Sequence, residues 1–399
     1  MLTSIALILL LGLGAGWLFA KAKLPSLLGM ILAGILISPH CLNLVDDSIL
    51  QISGDIRQIA LVIILTRAGL SLNLADLKKV GRPAVLMCFV PACAEMIGTM
   101  IFAPLLLGVS LLDAAIIGSV IAAVSPAVIV PRMIRLIDEG YGTQKSIPQM
   151  ILAGASVDDV FVIVVFTALT TWAATGSASM SGVVQIPTSI LLGVLLGAAA
   201  GYLLTGFFRK FPMRDLARVL ILLSVSFLLL EIQSQLESVV AVSGLLAIMS
   251  MGIMIRRKDE ALSRQLAATY NKLWLGAEIF LFVLVGVAVD IRYALAAGAM
   301  TILLVLFALV FRMSGVFVSL LGTPLSRGER LFCMMAYTPK ATVQAAIGAI
   351  PLTMGLECGS IALTVAVVSI LLTAPLGAIC VDKSYQKLLS RAPQETAGN

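Results

Sequence analysis

The chain is a run of long apolar segments separated by short charged loops, and this alternation limits its fold more than any other feature. A bilayer core takes about 20 apolar residues per crossing helix. Thirteen segments approach that length, at 2–20, 24–39, 57–74, 83–107, 112–136, 147–171, 187–207, 216–233, 239–255, 271–290, 294–321, 330–354 and 359–381. The second is short and is expected to be tilted or half-buried. Of the 399 residues, 60% are hydrophobic and 12% charged, against about 25% charged in soluble domains. The expected fold class is an all-α polytopic membrane protein with about 13 transmembrane helices.

The basic residues orient these segments. With the N-terminus outside and the C-terminus cytoplasmic, 22 of the 27 Lys and Arg fall in cytoplasmic loops or the tail, Lys78 and Lys79 among them. Only Arg57 and Arg292 fall outside, and Arg67, Arg312 and Lys340 lie within segments. That bias is the positive-inside pattern. The net charge of +6 is therefore read loop by loop and gives no reason to invoke nucleic acid. Trp17, Trp172 and Trp274 fall near segment ends, as in an interfacial aromatic belt. The first segment has its lysines, Lys21 and Lys23, after the apolar run, so it reads as a retained helix and not a cleaved leader. A bacterial inner membrane is the expected location.

Asp158 and Asp159 sit side by side in the middle of segment 6. One ionised Asp at a bilayer centre costs roughly 2.5–3.5 kcal/mol even on the lenient insertion scale, and intramembrane carboxylates generally face water-filled cavities. Adjacent helical residues point about 100° apart, so one carboxylate is expected to face a cavity and the other a neighbouring helix or broken segment. A purely structural ion pair is the weaker reading, since two adjacent carboxylates are an awkward way to make one bridge. His40 is the single histidine, which excludes a histidine relay, and the six cysteines show no metal-ligand spacing. Proton chemistry falls to carboxylates.

Two segments are interrupted, one at Val124-Ser125-Pro126-Ala127 and one at Thr338-Pro339-Lys340-Ala341-Thr342-Val343-Gln344. Proline removes a backbone donor and breaks the preceding turn. Freed backbone groups are tolerated in a membrane only inside protein or against a cavity. The breaks lie seven segments apart, an odd offset that inverts orientation, so segments 1–6 and 8–13 read as inverted repeats joined by segment 7. Paired broken helices in inverted halves point to a transport site near the midplane; two unrelated kinks are the alternative. Segment 7 carries Gly193, Gly197 and Gly201, a spacing for close helix packing.

Other charges lie inside segments. Arg312, in segment 11, needs a counter-ion, and Glu95, in segment 4, is the best candidate. Lys340, at the second break, is expected to balance the half-helix ends, with Glu278 as its partner. Both pairs read first as structural and second as coupling elements. Arg67 has no assigned partner, and Asp290 and Arg292 are expected at a solvated external end.

These stretches, with Thr66-Arg67-Ala68-Gly69-Leu70, Ser156-Val157-Asp158-Asp159 and Gly286-Val287-Ala288-Val289-Asp290, resemble the cation/proton antiporter superfamily, specifically its NHA-type sodium/proton antiporters. The resemblance implies core halves at 83–172 and 294–381, scaffold and dimer halves at 1–82 and 216–292, a linker helix at 187–207 and a short tail at 382–399. It implies a homodimer working by elevator-type alternating access. It assigns Asp159 as the principal ligand for cation and proton, with Asp158 assisting. Many paired-Asp members have a lysine where this chain has Arg312; arginine does not deprotonate, so a cycle in which this residue releases a proton is not expected, which leaves the stoichiometry open between electroneutral and electrogenic exchange.

The function expected is exchange of Na⁺ or Li⁺ for H⁺, with both competing for Asp159 and Asp158 beside the hydroxyls of Ser125 and Thr342 and the breaks at Pro126 and Pro339. The expected partners are these ions, membrane lipid and a second copy, with no nucleic acid and no cofactor. The alternatives are a potassium/proton exchanger or channel-like efflux module and, more remotely, an organic-anion/sodium symporter. No Ser/His or HExxH arrangement supports an enzyme.

Overall fold

The computed structural model describes residues 1–71, 81–175, 180–236, 242–289 and 291–391. Lys78, Lys79, Asp290 and the tail from 392 lie outside the described residues, as do the side chains of Ser156 and Arg292. Among the described residues the chain is helical apart from turns and one isolated bridge, Tyr141 to Arg391.

The first group of helices is α1 (Leu2–Lys21), α2 (Ser26–Ile37) and α3 (Asp47–Ser71). Next come α4 (Arg82–Met87), α5 (Val90–Leu107), α6 (Leu111–Ile121), α7 (Pro126–Asp138) and α8 (Ile147–Thr175). The long α9 (Met180–Lys210) leads to α10 (Asp215–Leu236), α11 (Gly244–Lys258) and α12 (Glu260–Val287). The chain continues through α13 (Ile291–Ser319), α14 (Arg327–Ala336), α15 (Thr342–Ile347), α16 (Ile350–Thr353) and α17 (Gly359–Leu388). Among the described residues, nine helical segments are long and apolar enough to cross a membrane, counting α4–α5 and α6–α7 as one each. The other expected spans fall on α2, α10, α11 and the broken α14–α16.

Two boundaries differ from the sequence reading. Helix α3 begins at Asp47, ten residues before the expected start, because 47–56 continue the helix with polar side chains; Arg57 is therefore inside a helix and buried, not in an external loop. Likewise α12 begins at Glu260, capped by the Asp259 carboxylate, which accepts from the Leu262 N–H at 3.0 Å, so Arg264 and Lys272 sit on helix.

Packing follows the small residues. A Cβ on Gly193, Gly197 or Gly201 of α9 would run into the backbone of Ser243, Ala247 or Met251 respectively, so this spacing serves contact with α11 in the same chain. Helices α5 and α13 approach reciprocally, with Gly98 under Phe311 and Gly315 under Pro91. Helix α3 packs on α11 and α12, and reaches α15.

The two proline breaks meet. Pro126 opens α7 after an extended Ser125, and Pro339 lies in the 337–341 gap between α14 and α15. The Ser125 N–H donates to the Pro339 carbonyl at 2.8 Å, and Gln344 Nε2 donates to the Ala123 carbonyl at 2.8 Å. Gln344 Oε1 accepts from the Ala341 N–H at 2.8 Å, and Thr373 Oγ1 accepts from the Lys340 N–H at 2.9 Å. Backbone groups that proline frees are thus paired inside the protein, as a low-dielectric setting demands.

Candidate ion-binding site

Helix α8 carries the paired acids past this crossing. The 100° step between neighbours sends them different ways. Asp158 is fully buried: its Oδ2 accepts from the Val124 N–H at 2.8 Å, in the first break, and from Arg312 at 2.9 Å. Asp159 instead stands on the wall of a small cavity of about 20 Å³, room for about one water-sized group. The other walls are Leu61, Ile64, Leu65 and Ala68 of α3, Met249 of α11, and Thr342, Val343, Ala346 and Ile347 of α15, with Ile163 on α8 itself.

Four buried charges back this wall. Arg312 donates from Nε to the Tyr337 carbonyl at 2.6 Å, from one amino group to Glu95 Oε2 at 2.9 Å and to the Ala122 carbonyl, and from the other to Asp158. Its guanidinium lies 5.4 Å from the Tyr337 ring centroid. Lys340 Nζ donates to the same Glu95 Oε2 at 2.5 Å. The cluster holds two carboxylates and two cations, so it is formally neutral. A buried ion pair survives desolvation only with such additional hydrogen bonds.

Asp159 stands outside that balance. It has no ion pair among the described residues, and its Oδ1 is buried without a hydrogen-bond partner. The Asp158 Oδ1 and Ser125 Oγ are buried without partners as well. Buried oxygens generally have partners, so three such oxygens around one crossing form a donor set suited to a cation, a proton or water. Thr342 is buried at the start of α15 and lines the Asp159 cavity.

The structure corrects one expected partnership. Lys340 pairs with Glu95, not with Glu278: its ammonium reaches the same α5 carboxylate oxygen that Arg312 holds. Glu278 is the electrostatic neighbour of Arg67 and accepts a bond from Trp274; the Arg67 guanidinium lies 6.0 Å from the Trp274 ring centroid. Sequence reasoning missed the Arg312–Asp158 bond, which brings Asp158 into the cluster of Glu95, Arg312 and Lys340. It also missed Gln344 as the strap between the breaks, although a glutamine in the apolar run Thr342–Ile350 was a visible signal.

Comparison with known proteins agrees with this architecture. The family model described as sodium/hydrogen exchanger, transmembrane, matches residues 5–382. Human sodium/hydrogen exchanger 9B2 is 31% identical over 390 residues, covering 93% of this chain and 71% of the relative. Human sodium/hydrogen exchanger 9B1 is 28% identical over 387 residues, covering 92% and 73%. The solved structure of the sodium proton antiporter MjNhaP1 from Methanocaldococcus jannaschii at pH 8 superposes with a TM-score of 0.83 at 22% identity, over 96% of this chain and 97% of that one, a likeness of fold. With its helical membrane architecture and a family match over nearly its whole length, the chain belongs to the sodium/hydrogen exchanger family, a cation/proton antiporter and not an enzyme.

Proposed function

We propose that the chain exchanges Na⁺ or Li⁺ for H⁺ at Asp159, with the two ions competing for that one carboxylate. The observation that carries this reading is the charge balance: Asp158, Glu95, Arg312 and Lys340 neutralise one another, and Asp159 alone faces the cavity without a cationic partner. A protonated Asp159 offers a cation no charge. An ionised one, beside the hydroxyls of Ser125 and Thr342, offers a charge and oxygen ligands suited to a hard cation. Arg312 keeps its proton throughout, so one Na⁺ replaces one H⁺ and the exchange is electroneutral. Asp158 assists by fixing α8 against the break at Val124.

The two access states are assigned to an elevator-type motion of segments 83–172 and 294–381 against 1–82 and 216–292, in a homodimer with 13 spans, the N-terminus outside and the C-terminus in the cytoplasm. The cavity lies where α8 and α15 of the first set face α3 and α11 of the second, which is where such a motion would expose it alternately. The reciprocal α5–α13 contact supports inverted-repeat halves.

The test is dequenching of a pH dye in proteoliposomes on adding Na⁺, Li⁺ and K⁺ separately. Asp159→Asn is expected to abolish the response while the protein stays folded. Full exchange by that variant would refute the site, and a response to K⁺ alone would replace this reading with a potassium/proton exchanger.

A further inference from the structure

Helix α15 has six residues, too few to hold a position by its own backbone bonds. Four of them, Thr342, Val343, Ala346 and Ile347, wall the cavity that Asp159 lines. Gln344 lies about 130° around the helix from the middle of that stripe, by the 100° step per residue. It therefore points away from the cavity, and it is fully buried. Among the described residues no other side chain of α15 hydrogen-bonds a neighbouring helix.

The Gln344 amide joins the two breaks. Its Oε1 accepts from the Ala341 N–H at 2.8 Å, just ahead of α15. Its Nε2 donates to the Ala123 carbonyl at 2.8 Å and reaches the Ile121 carbonyl at 3.4 Å, at the end of α6. The Ala122 carbonyl between them is taken by Arg312. The next residue, Val124, donates its N–H to Asp158 at 2.8 Å. Asp159 on α8 is thus registered against the α15 wall through one short chain of Asp158, the Val124–Ala123 backbone and Gln344. The Ser125 bond to Pro339 also ties the breaks, but on the chain before α15. Apolar contact around α15 is non-directional and fixes no such register.

The cavity has room for about one water-sized group. A site of that size sorts hard cations by radius only while its walls do not yield, because selectivity depends on cavity size and flexibility. Without the amide, the Ile121 and Ala123 carbonyls and the Ala341 N–H lose this partner inside the protein, a costly state that a shift of α15 would relieve. We infer that Gln344 is a positioning residue that sets ion-size selectivity: by tying α15 to the end of α6, it keeps the cavity too narrow for K⁺ at the carboxylate that takes Na⁺ or Li⁺. This rests on Asp159 being the exchange site.

The experiment measures the apparent KM for Na⁺ and for K⁺ at one pH in proteoliposomes holding the full chain. The ratio KM(K⁺)/KM(Na⁺) is the readout, since proton competition acts on both ions and cancels. Wild type is expected to favour Na⁺. A methylene-sized difference in a pocket is worth about tenfold or more, so Gln344→Met, similar in length but without the amide, should lower the ratio about tenfold. Gln344→Asn keeps an amide one carbon too short to span both ends and should lower it as well, which keeps the inference testable if Gln344→Met does not accumulate. Val343→Ala enlarges the wall directly, with the amide intact, and should shift the ratio the same way. A merely structural loss would slow both ions and leave the ratio alone. An unchanged ratio in the Gln344 variants or in Val343→Ala, or a wild type that takes K⁺ as readily as Na⁺, would overturn the inference. Exchange that persists in Asp159→Asn would instead overturn the site on which it depends, a separable result.

Discussion

Glu95→Gln tests whether the buried cluster is one electrostatic unit. A single oxygen, Glu95 Oε2, serves Arg312 at 2.9 Å and Lys340 at 2.5 Å. The two cations depend on it unequally. Arg312 keeps Asp158 and the Ala122 and Tyr337 carbonyls when Glu95 is neutralised. Lys340, 1% exposed, loses its single carboxylate partner among the described residues. Breaking a buried pair by removing one partner costs about 3–5 kcal/mol. An unfolding entropy of about 2.1 cal/mol/K per residue gives about 0.8 kcal/mol/K for a chain of this length, so the expected fall in Tm is about 4–6 °C. Lys340→Met should cost less, since Glu95 then keeps Arg312, and the double variant should regain most of the loss because no stranded charge remains. Thermal melting of the purified protein in detergent, followed by tryptophan fluorescence, reads all three. Melting of Glu95→Gln within about 1 °C of wild type, or a double variant no better than the single, would refute the reasoning, because either result means that Lys340 does not rely on Glu95.

Three further outcomes are expected. Competition at Asp159 requires the apparent KM for Na⁺ to rise about tenfold per pH unit below the site's own pKa, with the maximal rate affected far less; a KM flat across the acid limb of activity in proteoliposomes would mean separate sites. Gly197→Ala places a methyl group against the Ala247 backbone, so α9 must lift from α11, and melting should fall more than for alanine at Gly206, which has open space around it. The Asp46 carboxyl, in the loop before α3, is pulled down to about 2 by the Ser48 hydroxyl and N–H and by the N-terminal ammonium. A depressed carboxyl stabilises the folded state above its unfolded value near 3.8 and loses that contribution as pH falls toward 2. The melting difference between wild type and Asp46→Asn should therefore shrink over that window and be constant above it.

The apolar period, the prolines and the paired acids were legible in the sequence because each works through local rules: span length, backbone breakage and desolvation cost. The 100° step at Asp158–Asp159 likewise sends one acid toward a cavity and the other toward a neighbouring helix or the broken segment, and Asp158 bonds both Arg312 and Val124. What sequence spacing does not carry is the partner across the bundle. Segment spacing pairs Lys340 with Glu278 and Arg312 with Glu95; in the fold one Glu95 oxygen serves both cations. Arg57 was misplaced for a different reason. The stretch 47–56 is too polar for a hydropathy reading, yet Asp47 at the first turn and uninterrupted helical geometry extend α3 through it.

On the proposed reading, the placement of the two acids also explains why exchange would not slip. Asp158 ties α8 to the break that ends α6, so the carboxylate that binds the ion and the helix end that lines its path move as one body. Asp159 faces leucine, isoleucine, valine and alanine side chains almost throughout its cavity. An ionised, empty Asp159 would have to be carried through that apolar seam as a bare charge, against the desolvation cost that keeps such groups rare in membranes. Either ion removes the charge, a proton by covalent neutralisation and Na⁺ by pairing, and only then is passage through the seam affordable in free energy. Because the four charges behind Asp159 already sum to zero, that cluster does not compensate an empty carrier. Replacing Leu65, whose side chain lines this seam, with Asn would supply a polar contact to the empty state, and uncoupled leakage of protons without Na⁺ should rise in proteoliposomes; tight coupling in that variant would show that the apolar wall is not what enforces exchange.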